Sequence, residues 1–207
     1  IEIDADAMEW DNRRYFGFIV PDKPEAALIG SVDDTRFISL ILNGTNGNPY
    51  CNLMTVTPER LSSLNLSDFD IVILAGGNYR NTDLKRIEQY LAAGGSALIF
   101  ACPETPQDVF APFAAALGFG QINEQVYPEK MRQEFARLDN QHPLFEGVFK
   151  SEYESGKPVE SPLIQQARTV NGAQPIIELQ SGTFLAESAF GEGRAVYIAV
   201  PPNLKWS

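Results

Sequence analysis

Two apolar runs that do not alternate constrain this chain more than any other feature. Asp70-Ile71-Val72-Ile73-Leu74-Ala75 and Ala97-Leu98-Ile99-Phe100-Ala101 have the length of strands and are short for helices. A strand with one wet face alternates polar and apolar residues, whereas a continuous run belongs to a strand covered on both faces. Between the two runs, Leu84, Ile87 and Leu91 share one helical stripe. Asn81 or Thr82 can open that helix and Gly94-Gly95 closes it. Strand, helix and strand at this spacing give parallel neighbours joined by a right-handed crossover.

The same alternation starts at Glu25. Ala26-Ala27-Leu28-Ile29 reads as a buried strand. Asp33 or Asp34 can cap a helix whose apolar face is Phe37, Leu40 and Ile41, stopping at Gly44. Leu53-Met54-Thr55-Val56 is a second strand, and Thr57-Pro58-Glu59 opens a short helix. After Ala101, Pro106 begins a helical stretch with Val109, Phe110, Phe113 and Leu117, which Pro112 should kink or split. Ile176 to Leu179, Thr183 to Ala189 and Ala195 to Val200 read as strands with Gly-containing turns, forming an antiparallel extension at one sheet edge. The fold class expected is α/β, a doubly wound and mostly parallel sheet of flavodoxin-like kind with a C-terminal antiparallel extension.

Residues 1–20 stand outside this alternation. Ile1 to Met8 and Arg14 to Val20 read as two strands, and a lone hairpin is marginal in water. They are expected to be the trailing strands of a preceding β domain, joined by Pro21-Asp22-Lys23-Pro24 to an α/β domain over residues 25–207. Both ends read as cuts from a longer protein, so a membrane anchor is expected only outside this segment. Lys150 to Pro162, rich in Glu, Ser, Gly and Pro, reads as an exposed loop.

With 27 acidic and 16 basic side chains the net charge is −11, a field that repels phosphate backbones and anionic lipid surfaces. Cys51 and Cys102 have neither disulfide-framework nor zinc-ligand spacing. Asp4, Asp6 and Asp11 lack the loop glycine and terminal Glu of a calcium loop. No pattern demands a cofactor or a metal.

In open parallel sheets, ligands bind beyond the carboxyl ends of the strands, at the switch point. Two such ends matter here: Ala75-Gly76-Gly77-Asn78 and Ala101-Cys102-Pro103-Glu104. The first, the helix after it, and Gly94-Gly95-Ser96-Ala97-Leu98-Ile99-Phe100-Ala101-Cys102 together resemble the core of the class I glutamine amidotransferase-like fold. The resemblance implies that Gly76-Gly77 lies where an oxyanion site forms and Cys102 where the nucleophile stands. Asp11-Asn12-Arg13-Arg14-Tyr15-Phe16, His142-Pro143-Leu144-Phe145-Glu146-Gly147 and Trp206-Ser207 are similar to the C-terminal part of bacterial BatA-domain membrane proteins. That similarity implies an amidotransferase-like module on the periplasmic side of the cell envelope.

The chemistry such a site needs is incomplete. A nucleophile elbow uses the N–H of the next residue for the oxyanion, and here that residue is Pro103, which has none. Proline also pushes Cys102 toward extended backbone, and Glu104 opposes a thiolate. The stretch matching the family's histidine turn is Ala199-Val200-Pro201-Pro202-Asn203, without His. His142, the single histidine, falls in a separate loop. Cys102 is therefore expected to be a vestigial nucleophile position in a non-catalytic binding or scaffolding module. Gly76, Gly77, Asn78, Glu104 and His142 are the candidate ligand-binding residues, and a protein partner or small ligand would sit in the strand-end cleft. A Cys102-dependent hydrolase or amidotransferase, and a sugar-like small-molecule binding domain, are the alternatives.

The charge yields the first test: no retardation of duplex or single-stranded nucleic acid should appear at physiological salt. Micromolar affinity in a gel shift would contradict it.

Overall fold

The computed structural model describes residues 22–44, 48–148, 161–203 and 206. The strands expected within residues 1–20, and nearly all of the loop expected at Lys150 to Pro162, lie outside them.

The two continuous runs form strands side by side, β3 (Ile71–Leu74) and β4 (Ser96–Phe100), paired in parallel. Next to β3 lie β1 (Glu25–Ile29) and then β2 (Asn52–Val56), also parallel. The other strands are β5 (Ile122–Val126), β6 (Arg137–Leu138), β7 (Gln166–Val170), β8 (Gln174–Leu179), β9 (Gly182–Phe190) and β10 (Gly193–Ile198). The sheet order is β2-β1-β3-β4-β10-β9-β7-β5, with β8 pairing β9 and β6 pairing β8. This is a mixed α/β domain with a central sheet that is parallel through β10 and antiparallel beyond it.

The position of β10 differs from the sequence expectation. It pairs in parallel with β4 and antiparallel with β9. The apolar stretch Ala195 to Val200 is thus the last strand of the parallel core. The antiparallel extension starts one strand later and includes β5 and β7, whose polar composition hid them.

Helix α2 (Asn81–Ala92) buries Leu84, Ile87 and Leu91, the stripe its spacing indicated. Its first turn is closed by Arg80 and Asp83, whose guanidinium and carboxylate pair at 2.9 Å. That pairing holds the Asp83 carboxyl below its ordinary range. Helix α3 (Gln107–Ala116) is one continuous helix rather than two pieces. Pro112 lies on its exposed side, where water can serve the backbone carbonyl that the proline leaves without a partner.

Helix α1 (Val32–Leu42) reverses the expected face. Ser31 is the N-cap, and the buried residues are Asp34, Thr35 and Ile38. Phe37, Leu40 and Ile41, expected to face the core, are exposed. The i, i+3, i+4 stripe was real, but the helix packs through the neighbouring stripe. Ile38 meets Leu28, Ile73 and Ala75 in a small cluster separate from the main core.

The assignment predicts that Ile38→Ala lowers stability by about 2 to 4 kcal/mol. Val32→Ala, on the solvent side of the same helix, should change it by less than about 0.5 kcal/mol in urea denaturation.

Candidate functional site

The chain runs from β1 outward to β2 and then back past β1 to β3, so the switch point lies between the carboxyl ends of β1 and β3. Four strand ends and the turns after them line this edge of the sheet: Gly30-Ser31 after β1, Gly76-Gly77-Asn78 after β3, Ala101-Cys102 after β4, and the segment from Ala199 to Asn203 after β10. The crevice is packed with side chains from its own rim.

Tyr79 is buried, and its hydroxyl lies 3.0 Å from both the Ile29 and the Gly76 carbonyl oxygens, linking the ends of β1 and β3. Its backbone N–H donates to Thr105 Oγ1 at 3.0 Å, and that hydroxyl donates to the Gly77 carbonyl at 2.7 Å. Burial pushes the Tyr79 phenol well above its ordinary pKa, so it stays a donor. Asp34 is buried at the first turn of α1. Its carboxylate accepts from the Ser31 hydroxyl and from Asn203 Nδ2, each at 2.6 Å. The last bond ties the end of the chain to its first helix across 169 residues.

The glycine pair is explained by these neighbours. Gly76 has φ +151°, and a Cβ there would stand 2.5 Å from Asp34 Oδ2. Gly77 has φ +125°, and a Cβ there would strike the Pro58 ring. Only glycine allows the β3 turn to pass so close to both. The N–H groups of Gly76, Gly77 and Asn78 nevertheless meet no acceptor among the described residues. Gly76 and Gly77 are buried, while Asn78 and Glu104 are exposed at the mouth.

Cys102 is fully buried, with its thiol donating to the Phe100 carbonyl at 3.2 Å. Burial pushes the thiol far above its ordinary range, and the Glu104 charge adds to this. The Cys102 carbonyl accepts from Arg168 Nη1 at 2.8 Å, and Arg168 Nε donates to Glu124 at 2.7 Å. This buried guanidinium therefore fastens the end of β4 to β7 and β5.

His142 is not brought to Cys102. Its Nδ1 accepts from the Leu144 N–H at 3.3 Å, capping a short 3-10 helix at Pro143–Phe145. Its Nε2 meets Glu187 on β9 at 3.0 Å, and the other Glu187 oxygen meets Arg194 at 2.7 Å. Glu187 is level with Val196 and Leu98, in the middle of the sheet rather than at its carboxyl edge. Both imidazole nitrogens are engaged there, so His142 holds its loop to β9.

Of the six residues singled out, Gly76, Gly77, Asn78, Glu104 and Cys102 gather at the crevice and His142 does not. Sequence reasoning missed Tyr79, Thr105, Arg168 and the Asp34–Asn203 pair. Asp34 was visible as a helix-start residue, but no local signal pairs it with a residue so far along the chain. Arg168 sits in a strand whose register alone reveals its partners.

No protein-family model matches this chain, and no curated protein matches it. Solved structures do. A cytoplasmic protein from Salmonella typhimurium is 11% identical with a TM-score of 0.66, over 88% of this chain and 89% of that one. A protein from Bacteroides uniformis described as ThuA-like is 12% identical with a TM-score of 0.59, over 90% and 86%. An exo-β-1,4-mannosidase from an Opitutaceae bacterium is 13% identical with a TM-score of 0.53, over 87% of this chain but 31% of that enzyme. At such identities the likeness concerns the fold, and it agrees with the flavodoxin-like arrangement.

These findings overturn the resemblance to BatA-domain membrane proteins, because the structures matching most of the chain are of other kinds and no family model supports it. Membership of the class I glutamine amidotransferase-like family is likewise not confirmed. Among the described residues, no helix is long and apolar enough to cross a membrane.

Two measurements follow from the geometry. Alkylation of Cys102 by iodoacetamide should be slow at neutral pH, with no titration midpoint below about 8.5. Gly76→Ala, which forces a side chain against Asp34 and into positive φ, should cost about 2 kcal/mol or more in urea denaturation.

Proposed function

We propose that this chain is a non-catalytic binding domain that receives an acceptor group of a partner or small ligand at the β3 turn. One contrast carries the reading: the thiol at the nucleophile position is sealed, while the adjacent N–H groups of Gly76, Gly77 and Asn78 are unspent. A nucleophile needs an exposed thiolate and a base, and Cys102 has a raised thiol and no imidazole partner. Unpaired N–H groups at a strand end suit a carbonyl or carboxylate oxygen. A domain role within a longer protein is supported by the mannosidase, where the same fold fills under a third of the chain. A place on the periplasmic side of an envelope depended on the overturned resemblance and forms no part of the reading.

Titration of 15N-labelled protein with acetate and with acetamide tests it. Amide shifts should move at Gly76, Gly77 and Asn78, equally in Cys102→Ala. Hydrolysis of p-nitrophenyl acetate or of glutamine that disappears in Cys102→Ala would overturn the proposal in favour of an enzyme.

A further inference from the structure

The unspent N–H groups of Gly76, Gly77 and Asn78 lie in a neighbourhood of negative charge. Behind the turn is Asp34, whose Oδ2 stands 2.5 Å from where a Gly76 Cβ would be. Its two side-chain donors, the Ser31 hydroxyl and the Asn203 amide, are neutral and leave its charge uncancelled. At the mouth is Glu104, exposed like Asn78. Its neighbour in the chain ties it to the turn: the Thr105 hydroxyl takes the Tyr79 N–H and donates to the Gly77 carbonyl. The reach of both charges is visible in two buried groups. Burial is the main reason that the Tyr79 phenol titrates high, and the charges of Asp34 and Glu104 add to it. For the Cys102 thiol burial again comes first and Glu104 next, with Asp34 acting in the same direction.

The cations in contact with this region are already matched. Arg80, next to Tyr79 in the chain, pairs with Asp83 at 2.9 Å. Arg168, which holds the Cys102 carbonyl, pairs with Glu124 at 2.7 Å. An oxygen approaching the glycine turn therefore meets donors in front, a carboxylate behind them and another at the mouth. Backbone N–H groups alone draw a charged oxygen more strongly than a neutral one. Nearby carboxylates reverse that order, because a unit charge acts strongly on an anion and weakly on a neutral dipole. The net charge of −11 works in the same direction at longer range.

We infer that the glycine turn selects an uncharged carbonyl oxygen over a carboxylate or phosphate, and that Glu104 sets this selection at the mouth. The inference rests on the reading of the turn as a binding site and narrows its ligand to neutral carbonyl compounds. Asp34 contributes from behind, but its carboxylate also clasps Asn203 and cannot be changed without loosening the fold. Glu104 is the separable charge. It is exposed, and its side chain makes no hydrogen bond or ion pair among the described residues. Glu104→Gln therefore removes the charge and keeps the shape.

Acetamide and acetate share one planar frame and differ in charge, so together they test it. Apparent affinities come from the Gly76, Gly77 and Asn78 amide shifts of the 207-residue chain, below about 50 mM ligand so that Glu104 is not screened. The unchanged chain should bind acetamide more tightly than acetate. In Glu104→Gln the acetate affinity should rise about 3- to 10-fold, the effect of removing one unit charge several ångströms away in a partly wet site, while that for acetamide changes less than about two-fold. Glu192→Gln removes the same charge just before β10, at the opposite edge of the sheet, and should change neither. Acetate bound as tightly as acetamide by the unchanged chain, or an acetate affinity that Glu104→Gln leaves alone or Glu192→Gln raises equally, overturns the inference and leaves the binding reading standing. Amide shifts absent with both ligands in every chain overturn both.

Discussion

The Tyr79 hydroxyl, placed between the carbonyls of Ile29 and Gly76, is the contact on which the carboxyl edge of the sheet depends. Parallel strands diverge beyond their last ladder bond, and the carbonyls there need donors from elsewhere. The phenol serves the Gly76 carbonyl, for which no other donor is found among the described residues, and joins it to the Ile29 carbonyl, which also accepts from the Ala75 N–H at 2.8 Å. The backbone of the same residue reaches Thr105 and through it the β3 turn. Arg168 performs the matching task on the other side of β4 by holding the Cys102 carbonyl. Between these two anchors the ends of β1, β3, β4 and β7 are fixed relative to one another. The space that a ligand occupies in other sheets of this kind is largely taken by Tyr79, Asp34 and Asn203.

That arrangement bears on function through what it leaves over. Groups that satisfy each other are poor candidates for chemistry, since a reacting atom would have to displace a made bond. Asp34 illustrates this. A buried carboxylate at a switch point could be a base, but Ser31 and Asn203 already donate to it and it serves as a clasp. Cys102 illustrates it again, as a thiol buried like a small apolar side chain. The unpaired N–H groups of the glycine turn are the exception, and they favour binding over turnover.

The sequence made β1, β3 and β4 legible because each is a continuous apolar run bounded by a turn or cap, whereas β10, read as a strand, was assigned to the antiparallel extension because nothing local shows that it pairs with β4. Periodicity located α1 but misjudged its buried face, because Phe37, Leu40 and Ile41 form a better apolar stripe than the Thr35–Ile38 stripe that packs. Strands β5 and β7 were illegible because their order rests on an ion pair, Glu124 with Arg168, rather than on apolar alternation. At the site, Pro103 and the missing histidine could be read directly, since each is a local fact about backbone donors or side-chain chemistry. The clasp from Asp34 to Asn203 and the latch from Tyr79 to Ile29 join residues 169 and 50 positions apart, distances over which a single sequence carries no signal. The family resemblance failed for a related reason: short motifs in order along a chain are weaker evidence than the packing of the whole.

Structural and functional roles for the crevice predict opposite responses to loss of the Tyr79 hydroxyl. Residues kept for chemistry usually cost stability, and their removal is neutral or stabilising. A structural latch does the reverse. Urea denaturation of Tyr79→Phe against the unchanged chain is therefore the most direct measurement. The account predicts a loss of about 1 to 2 kcal/mol, because the Gly76 carbonyl is left without its donor in a buried site. Unchanged or increased stability would contradict it and would mark the crevice as a site maintained for a reaction.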